Sequence, residues 1–115
     1  MWVALNNAKE KNYDLLVEEI KNAVEEFYIE CKFNSDSTIS SICPALSRGY
    51  YETTLKTLVT SGFLKGNSTN NDKKFTIVNP KDNVNIENCW IKYNYTGGEI
   101  FVQAITTTGS CPNDY

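Results

Sequence analysis

A long stretch near the start of the chain constrains the fold more than any other feature. Asn7 to Cys31 contains no glycine or proline, and its apolar residues recur at the spacing of one helix face. Glutamates occupy most of the other side. We therefore predict one amphipathic helix that must bury its apolar stripe against the rest of the chain. The stripe consists of Tyr13, Leu16, Ile20, Ala23, Val24, Phe27, Tyr28 and Cys31.

The length and net charge of the chain limit the number of domains and the kinds of binding partner to expect. The 115 residues predict a single domain covering residues 1–115. The net charge of −3 gives no electrostatic reason to expect binding to nucleic acid or to anionic lipid. No stretch of the sequence approaches the ~20 apolar residues that a membrane-spanning helix needs.

The four cysteines indicate disulfide bonds. Cys31, Cys43, Cys89 and Cys111 form an even set in a short chain that lacks histidine. Zinc sites favour closely spaced cysteine pairs, often with histidine, so zinc is the weaker interpretation. Three pairings are possible, and we prefer Cys31–Cys43 with Cys89–Cys111 because both loops are then local. Buried free thiols remain the alternative.

The segment after the first helix predicts a loop and a second helix. Asn34 to Ser41 is rich in serine, asparagine and threonine, which indicates a polar loop. Pro44 suits the first turn of a helix. The stronger helical pattern runs from Tyr51 to Ser61, and Gly62 is placed to end it.

The second half of the chain predicts antiparallel strands. Phe75 to Val78 is expected to form a short strand, and alternation around Val84 and Ile86 indicates an edge strand. The main strands are expected at 89–95 and 100–106, joined by a tight turn at Gly97-Gly98. The fold class is α+β: a long N-terminal helix packed on an antiparallel sheet of three to four strands, with a short second helix in the connecting segment.

The sequence offers no enzyme chemistry. Without histidine there is no conventional serine–histidine or cysteine–histidine pair. Glu87 and Glu99 could in principle approach each other across strands, but nothing marks them as a general acid and base. Asp114 with Asn113 supplies too few oxygens for calcium. We expect no catalytic residue, cofactor, metal or small-molecule substrate, and we expect the tail at 107–115 to be irregular and held only by Cys111.

Three stretches together resemble the soluble domain of type IV pilins and type II secretion pseudopilins. Asn7–Cys31 resembles the exposed half of the pilin helix. The stretch LKTLVTSGFLK at 55–65 resembles the short helix between helix and sheet, and WIKYNYTGGEIFVQAIT at 90–106 resembles the central hairpin. Cys89 and Cys111 then resemble the pair that bounds the C-terminal loop of many pilins.

The resemblance implies a structural subunit, with a minor pilin favoured, that takes part in filament initiation or assembly. The family's apolar N-terminal segment, processed from a leader and methylated, is expected to precede these residues and to anchor the protein in the bacterial inner membrane. The domain would then face the periplasm or lie in an extracellular pilus, where cell adhesion is a family role. Its partners would be other pilin or pseudopilin subunits. The expected subunit interface on the first helix is Glu18, Lys21, Glu25 and Glu26, with 32–42 and 107–115 setting which neighbour fits.

Two alternatives come from other classes. The stretch TTLKTLVTSGFLKG at 53–66, followed by strands and a glycine turn, is also typical of a winged-helix DNA-binding or interaction domain. The acidic charge and the presence of only Lys56 and Lys65 as cations there disfavour it. A secreted, disulfide-stapled binding module is the other alternative.

Overall fold

One long helix and two antiparallel sheets form the described part of the chain. The computed structural model describes the backbone of residues 2–33, 37–67 and 77–115, and the side chains of 8–33, 39–67 and 77–115. The elements, in chain order, are α1 (Trp2–Phe33), α2 (Ser37–Ser40), β1 (Tyr51–Thr54), α3 (Leu55–Thr60), β2 (Val78–Asn79), β3 (Val84–Asn85), β4 (Trp90–Thr96) and β5 (Glu99–Ala104).

Helix α1 confirms the predicted long helix and extends beyond both predicted ends. Its 32 residues span about 48 Å at 1.5 Å per residue, close to the longest dimension of the molecule, 50 Å. Residues 8–12 are exposed, and burial begins at Tyr13. From there the stripe facing the sheet is buried, so the body of the protein covers α1 from Tyr13 onward and leaves the preceding turn uncovered.

The main sheet is antiparallel, with strand order β1-β4-β5. Thr96 pairs with Glu99, so the turn between β4 and β5 consists of two residues. Gly97 has φ +62° and Gly98 has φ +84°, the combination that a type I′ hairpin turn requires. Strands β2 and β3 form a separate two-stranded sheet, so the predicted α+β class is confirmed, with the strands divided between two sheets.

The predicted helix at Tyr51–Ser61 is wrong in its first turn. Residues Tyr51–Thr54 form strand β1, which pairs with β4, and α3 begins only at Leu55. Tyrosine and threonine favour a strand when a partner strand is available. Thr54 ends the strand in an extended conformation, and its side chain accepts a hydrogen bond from the Thr57 amide at 3.2 Å. One residue therefore ends β1 and caps α3.

The predicted helix start at Pro44 is also wrong. Residues 43–46 form neither helix nor strand. Ser47 and Tyr50 then exchange two backbone hydrogen bonds of 2.8 and 2.9 Å around Arg48 and Gly49, which both have positive φ. This is a second two-residue turn, and it reverses the chain into β1.

Two further differences concern the loops. The predicted polar loop at 34–41 contains the short helix α2, while residues 34–36 lie outside the described residues. In the predicted strand Phe75–Val78, residues 75 and 76 also lie outside them, and the observed strand is Val78–Asn79.

A single core lies between α1, α3 and the inner face of the main sheet. Phe27 and Phe63 pack with ring centroids 5.3 Å apart, and α3 contributes three buried aliphatic side chains. Burying these side chains supplies most of the driving force for folding. The fully or almost fully buried members are Ile20, Val24, Phe27, Leu55, Leu58, Ile77, Ile86, Ile91 and Tyr93.

Both disulfides are present and fasten opposite ends of the molecule. Cys31 is bonded to Cys43, and Cys89 to Cys111. The first joins the end of α1 to the segment after α2. The second joins the start of β4 to the tail. This is the pairing with two local loops.

The tail is held by far more than Cys111. Asn79 Nδ2 donates to the Ser110 carbonyl oxygen at 2.7 Å, and the Ser110 hydroxyl donates to Asp82. Pro112 is buried, and the Tyr13 hydroxyl donates to Asp114 Oδ1. The expectation that only the cysteine ties the tail down is therefore wrong.

Candidate functional site

A groove between α1 and the free edge of β5 brings together most of the predicted interface residues. It encloses about 480 Å³. One wall is the polar flank of α1 and the other is the β5 edge with the end of its hairpin. Its lining residues are Glu18, Lys21, Asn22, Glu25, Gly98, Glu99, Ile100, Phe101, Val102 and Tyr115.

The four predicted interface residues divide between two surfaces. Glu18, Lys21 and Glu25 line the groove. Glu26 points elsewhere, into a shallower depression beside Phe63. The groove thus has two helix carboxylates and one lysine on the α1 wall.

The opposite wall carries backbone groups that are available for hydrogen bonding. Ile105 donates its amide to the Trp90 carbonyl oxygen at 2.9 Å, so alternate β5 residues (99, 101, 103) direct their backbone groups toward β4. The residues between them, Ile100 and Val102, direct theirs away from β4 and toward the free edge. Within the described ranges, no residue hydrogen-bonds to these outward groups.

Tyr115 lies at the groove with an unsatisfied hydroxyl. This side chain packs against the core, and its buried oxygen has no hydrogen-bond partner among the described residues. Burial raises the pKa of Tyr115 above its ordinary value, and Tyr13 and Asp114 nearby add to the shift. Tyr115 therefore lines the groove with a hydroxyl whose hydrogen-bonding capacity the described residues do not use.

The outer face of the main sheet presents a second exposed surface. Trp90 is 46% exposed, Phe101 50% and Ile105 41%. Trp90 and Ile105 are cross-strand neighbours, as shown by their backbone hydrogen bond. Lys92 lies between these apolar groups and Phe101, with its ammonium 4.6 Å from the centroid of the Tyr50 ring.

The two acids considered for acid–base chemistry are not brought together. Glu87 lies before β4 and Glu99 follows it, so the seven residues of β4 separate them by about 23 Å. The described residues contain no cluster of three acids or cysteines that would hold a metal ion. None of the described helices has the length and apolarity to cross a membrane.

Comparisons with known proteins leave the family open. Scans against family models, curated proteins and solved structures gave no match. The assignment of a function therefore depends on the geometry of this chain.

The β5 edge and Tyr115 were missed by sequence reasoning. The sequence predicts the strand, but its position at the edge of the sheet depends on β1 pairing with the other side of β4. One signal was present: Glu99–Ala104 contains no lysine or proline, the residues that commonly protect exposed strand edges. The role of Tyr115 had no local signal because its neighbours come from distant elements.

Proposed function

We propose that this protein is a structural subunit of a pilin-like filament, a type IV pilus or a type II secretion pseudopilus, and that it acts as a minor subunit in filament initiation or assembly. The observation that carries the proposal is α1. It runs the length of the molecule, packs against the tail, the main sheet and α3 from Tyr13 onward, and leaves residues 8–12 exposed.

The distribution of polar and apolar groups on α1 supports this function. Its inner stripe is fully used by the protein's own core. Its other side exposes Glu18, Glu19 and Glu26 together with Leu15 (53% exposed) and Ile29 (42%). Packing of α1 among other subunits would bury these two exposed apolar side chains.

The remaining architecture is compatible with the same role. The disulfide-bonded tail contacts α1 near Tyr13, and the disulfide-bonded loop joins it at Cys31. These two positions are about 27 Å apart along the helix axis. Each can contact a different neighbour in an assembly. In this proposal an apolar segment preceding residue 1 anchors the protein in the inner membrane, and the partners are other pilin-like subunits.

Site-specific photo-crosslinking in the native host tests the proposal. The photoreactive residue p-benzoylphenylalanine replaces Leu15 or Glu26 in the full-length protein, with Glu52 as a control position that is exposed on the outer face of the main sheet. We expect ultraviolet light to join the α1 positions, and not the control, to subunits of an assembled filament. Equal products from all three positions, or none from a strain with assembled filaments, would refute the proposal.

A further inference from the structure

We propose that the groove between α1 and β5 binds an extended, basic segment of a partner protein, which adds to the main sheet as a fourth strand beside β5. This inference concerns a binding activity and does not depend on the filament proposal.

The backbone geometry of β5 sets the mode of binding. Ile100 and Val102 direct amide and carbonyl groups toward the free edge, in register for another strand. An extended peptide that adds to an open edge obtains its affinity from such main-chain hydrogen bonds. The groove volume of about 480 Å³ accommodates a short segment beside the strand.

The side chains of β5 leave this edge open. Natural edge strands commonly carry lysine, proline or a bulge that prevents pairing. The six residues of β5 are Glu-Ile-Phe-Val-Gln-Ala, and they pair with β4 in continuous register. The edge is therefore regular, and a partner strand meets no steric obstacle from a proline or a bulge in it.

The acidic side chains of the groove favour a partner segment that is basic. Partner residues directly opposite Ile100 and Val102 project to the same face as those side chains, which is the face that α1 covers. There they meet Glu18 and Glu25, with Lys21 as the only cation lining the groove. Lysine or arginine at alternate positions of the partner pairs with these carboxylates.

The same charge disfavours a second copy of this chain. Symmetric pairing of two β5 edges would bring two acidic α1 walls to one interface, and each chain carries a net charge of −3. Like charges close together oppose association. The observations therefore favour a basic segment of another protein over self-association.

Three synthetic peptides test the binding mode on the 115-residue protein. The first is a capped heptapeptide that alternates lysine with valine, the second replaces lysine with glutamate, and the third is the lysine peptide with N-methyl groups on alternate amides. We follow amide chemical shifts by NMR at low salt, up to about 1 mM peptide, the range of weak association. We expect the lysine peptide alone to bind, with the largest shifts and slowed amide exchange at Ile100 and Val102.

Matched charge variants test the role of the α1 wall. Glu18→Gln with Glu25→Gln removes both groove carboxylates, whereas Glu19→Gln with Glu26→Gln removes two charges from the same helix outside the groove. Because exposed ion pairs contribute only modestly, the groove variant, which removes two of them, should bind the lysine peptide up to about thirtyfold more weakly. The control variant should bind it within about twofold of the unchanged protein.

Several results would overturn the inference. Equal binding of the lysine and glutamate peptides would contradict the role of charge, and undiminished binding of the N-methylated peptide would contradict main-chain hydrogen bonding. Failure of the lysine peptide to bind, or chemical-shift changes located away from β5, would contradict the proposed site. A stable dimer in sedimentation experiments, with slowed exchange at Ile100 and Val102 before any peptide is added, would assign the edge to a second copy instead.

Discussion

The Tyr13 hydroxyl donates a hydrogen bond to Asp114 across 101 residues of sequence. Tyr13 is buried on α1, and Asp114 is exposed in the tail. The ammonium of Lys81 lies 4.0 Å from the centroid of the Tyr13 ring, and the same Lys81 is 3.8 Å from Glu10. This cluster fastens the tail and the turn after β2 to the exposed beginning of α1.

Removing the acceptor should cost more than removing the donor. Asp114→Ala leaves the buried Tyr13 hydroxyl without its partner, at a cost of about 1 to 2 kcal/mol of unfolding free energy. Tyr13→Phe leaves only an exposed carboxylate that water can solvate, at about 0.5 to 1 kcal/mol. Urea denaturation measures both, with Asp14→Ala as a control for an exposed acid on α1. Equal effects of Asp114→Ala and Asp14→Ala would contradict this account.

The two disulfides should be reduced in a defined order. Cys31 and Cys43 are both half-buried, whereas in the second bridge only Cys111 is half-buried and Cys89 is 4% exposed. Attack can therefore occur at either residue of the first bridge but at only one residue of the second. Thiolate attack requires access to a sulfur atom, so limiting reductant at neutral pH should open Cys31–Cys43 first. Alkylation and peptide mass spectrometry identify the freed cysteines. In urea the order should disappear, and earlier release of Cys89 in the folded protein would contradict the prediction.

In the turn between β4 and β5, replacing Gly97 by alanine should destabilise the protein more than replacing it by asparagine. Gly97 has φ +62°, a conformation that costs an ordinary L-residue about 1 kcal/mol or more, while asparagine adopts it readily in type I′ turns. Gly97→Ala should therefore lower the free energy of unfolding by about 1 kcal/mol, and Gly97→Asn should change it by less than about half of that. Thermal denaturation of the two variants checks this, and equal losses would exclude backbone strain as the cause.

Stability should fall at high pH because of buried tyrosines. Burial raises the pKa of Tyr93 above its ordinary value of 10.0, and Tyr51 nearby adds to the shift. The pKa values of Tyr13 and Tyr115 are also raised, chiefly by burial. The unfolded chain loses these phenolic protons near pH 10 while the folded chain keeps them. The stabilisation is therefore complete below pH 10 and decreases as the pH rises above it.

Tyr93 should account for part of the slope of that decrease. Each shifted tyrosine contributes up to about 1.4 kcal/mol per pH unit above pH 10. Tyr93→Phe should reduce the slope by about a third, because it removes one of the three tyrosines whose pKa values burial raises. Rapid urea titrations between pH 9 and pH 11 measure the slopes. An unchanged slope in Tyr93→Phe would show that this phenol ionises equally in both states.

The sequence predicted correctly those elements whose conformation depends on residues close to one another in the chain. The apolar stripe of α1 and the glycine turn of the β4–β5 hairpin follow from periodicity and from backbone conformational preferences. Tyr51–Thr54 was assigned to a helix because its strand conformation depends on pairing with β4, which lies more than thirty residues later in the chain. Tertiary contacts overrode the local preference there.

The candidate site, too, could be predicted only where it depends on a single element of the chain. Glu18, Lys21 and Glu25 were predicted on one charged helix face because such a face can be read along a single helix, and their role in a subunit interface stays a prediction. The opposite wall could not be identified, since β5 becomes an edge only through the order of strands in the sheet. The contacts of Tyr115 and Asp114 bring the last residues of the chain to α1, and spacing along the sequence contains no information about them.

The fastening of the tail has a mechanical consequence. Asp114 holds the tail to Tyr13 on α1, and the bond between Cys111 and Cys89 holds the same tail covalently to the beginning of β4. Tension applied to the first turns of α1 therefore reaches the central strand by two parallel routes, through the packed core and through the tail. The tail is thus a second connection between α1 and the sheet, and sliding α1 along the sheet would break the contact between Tyr13 and Asp114 as well as the packing of the core.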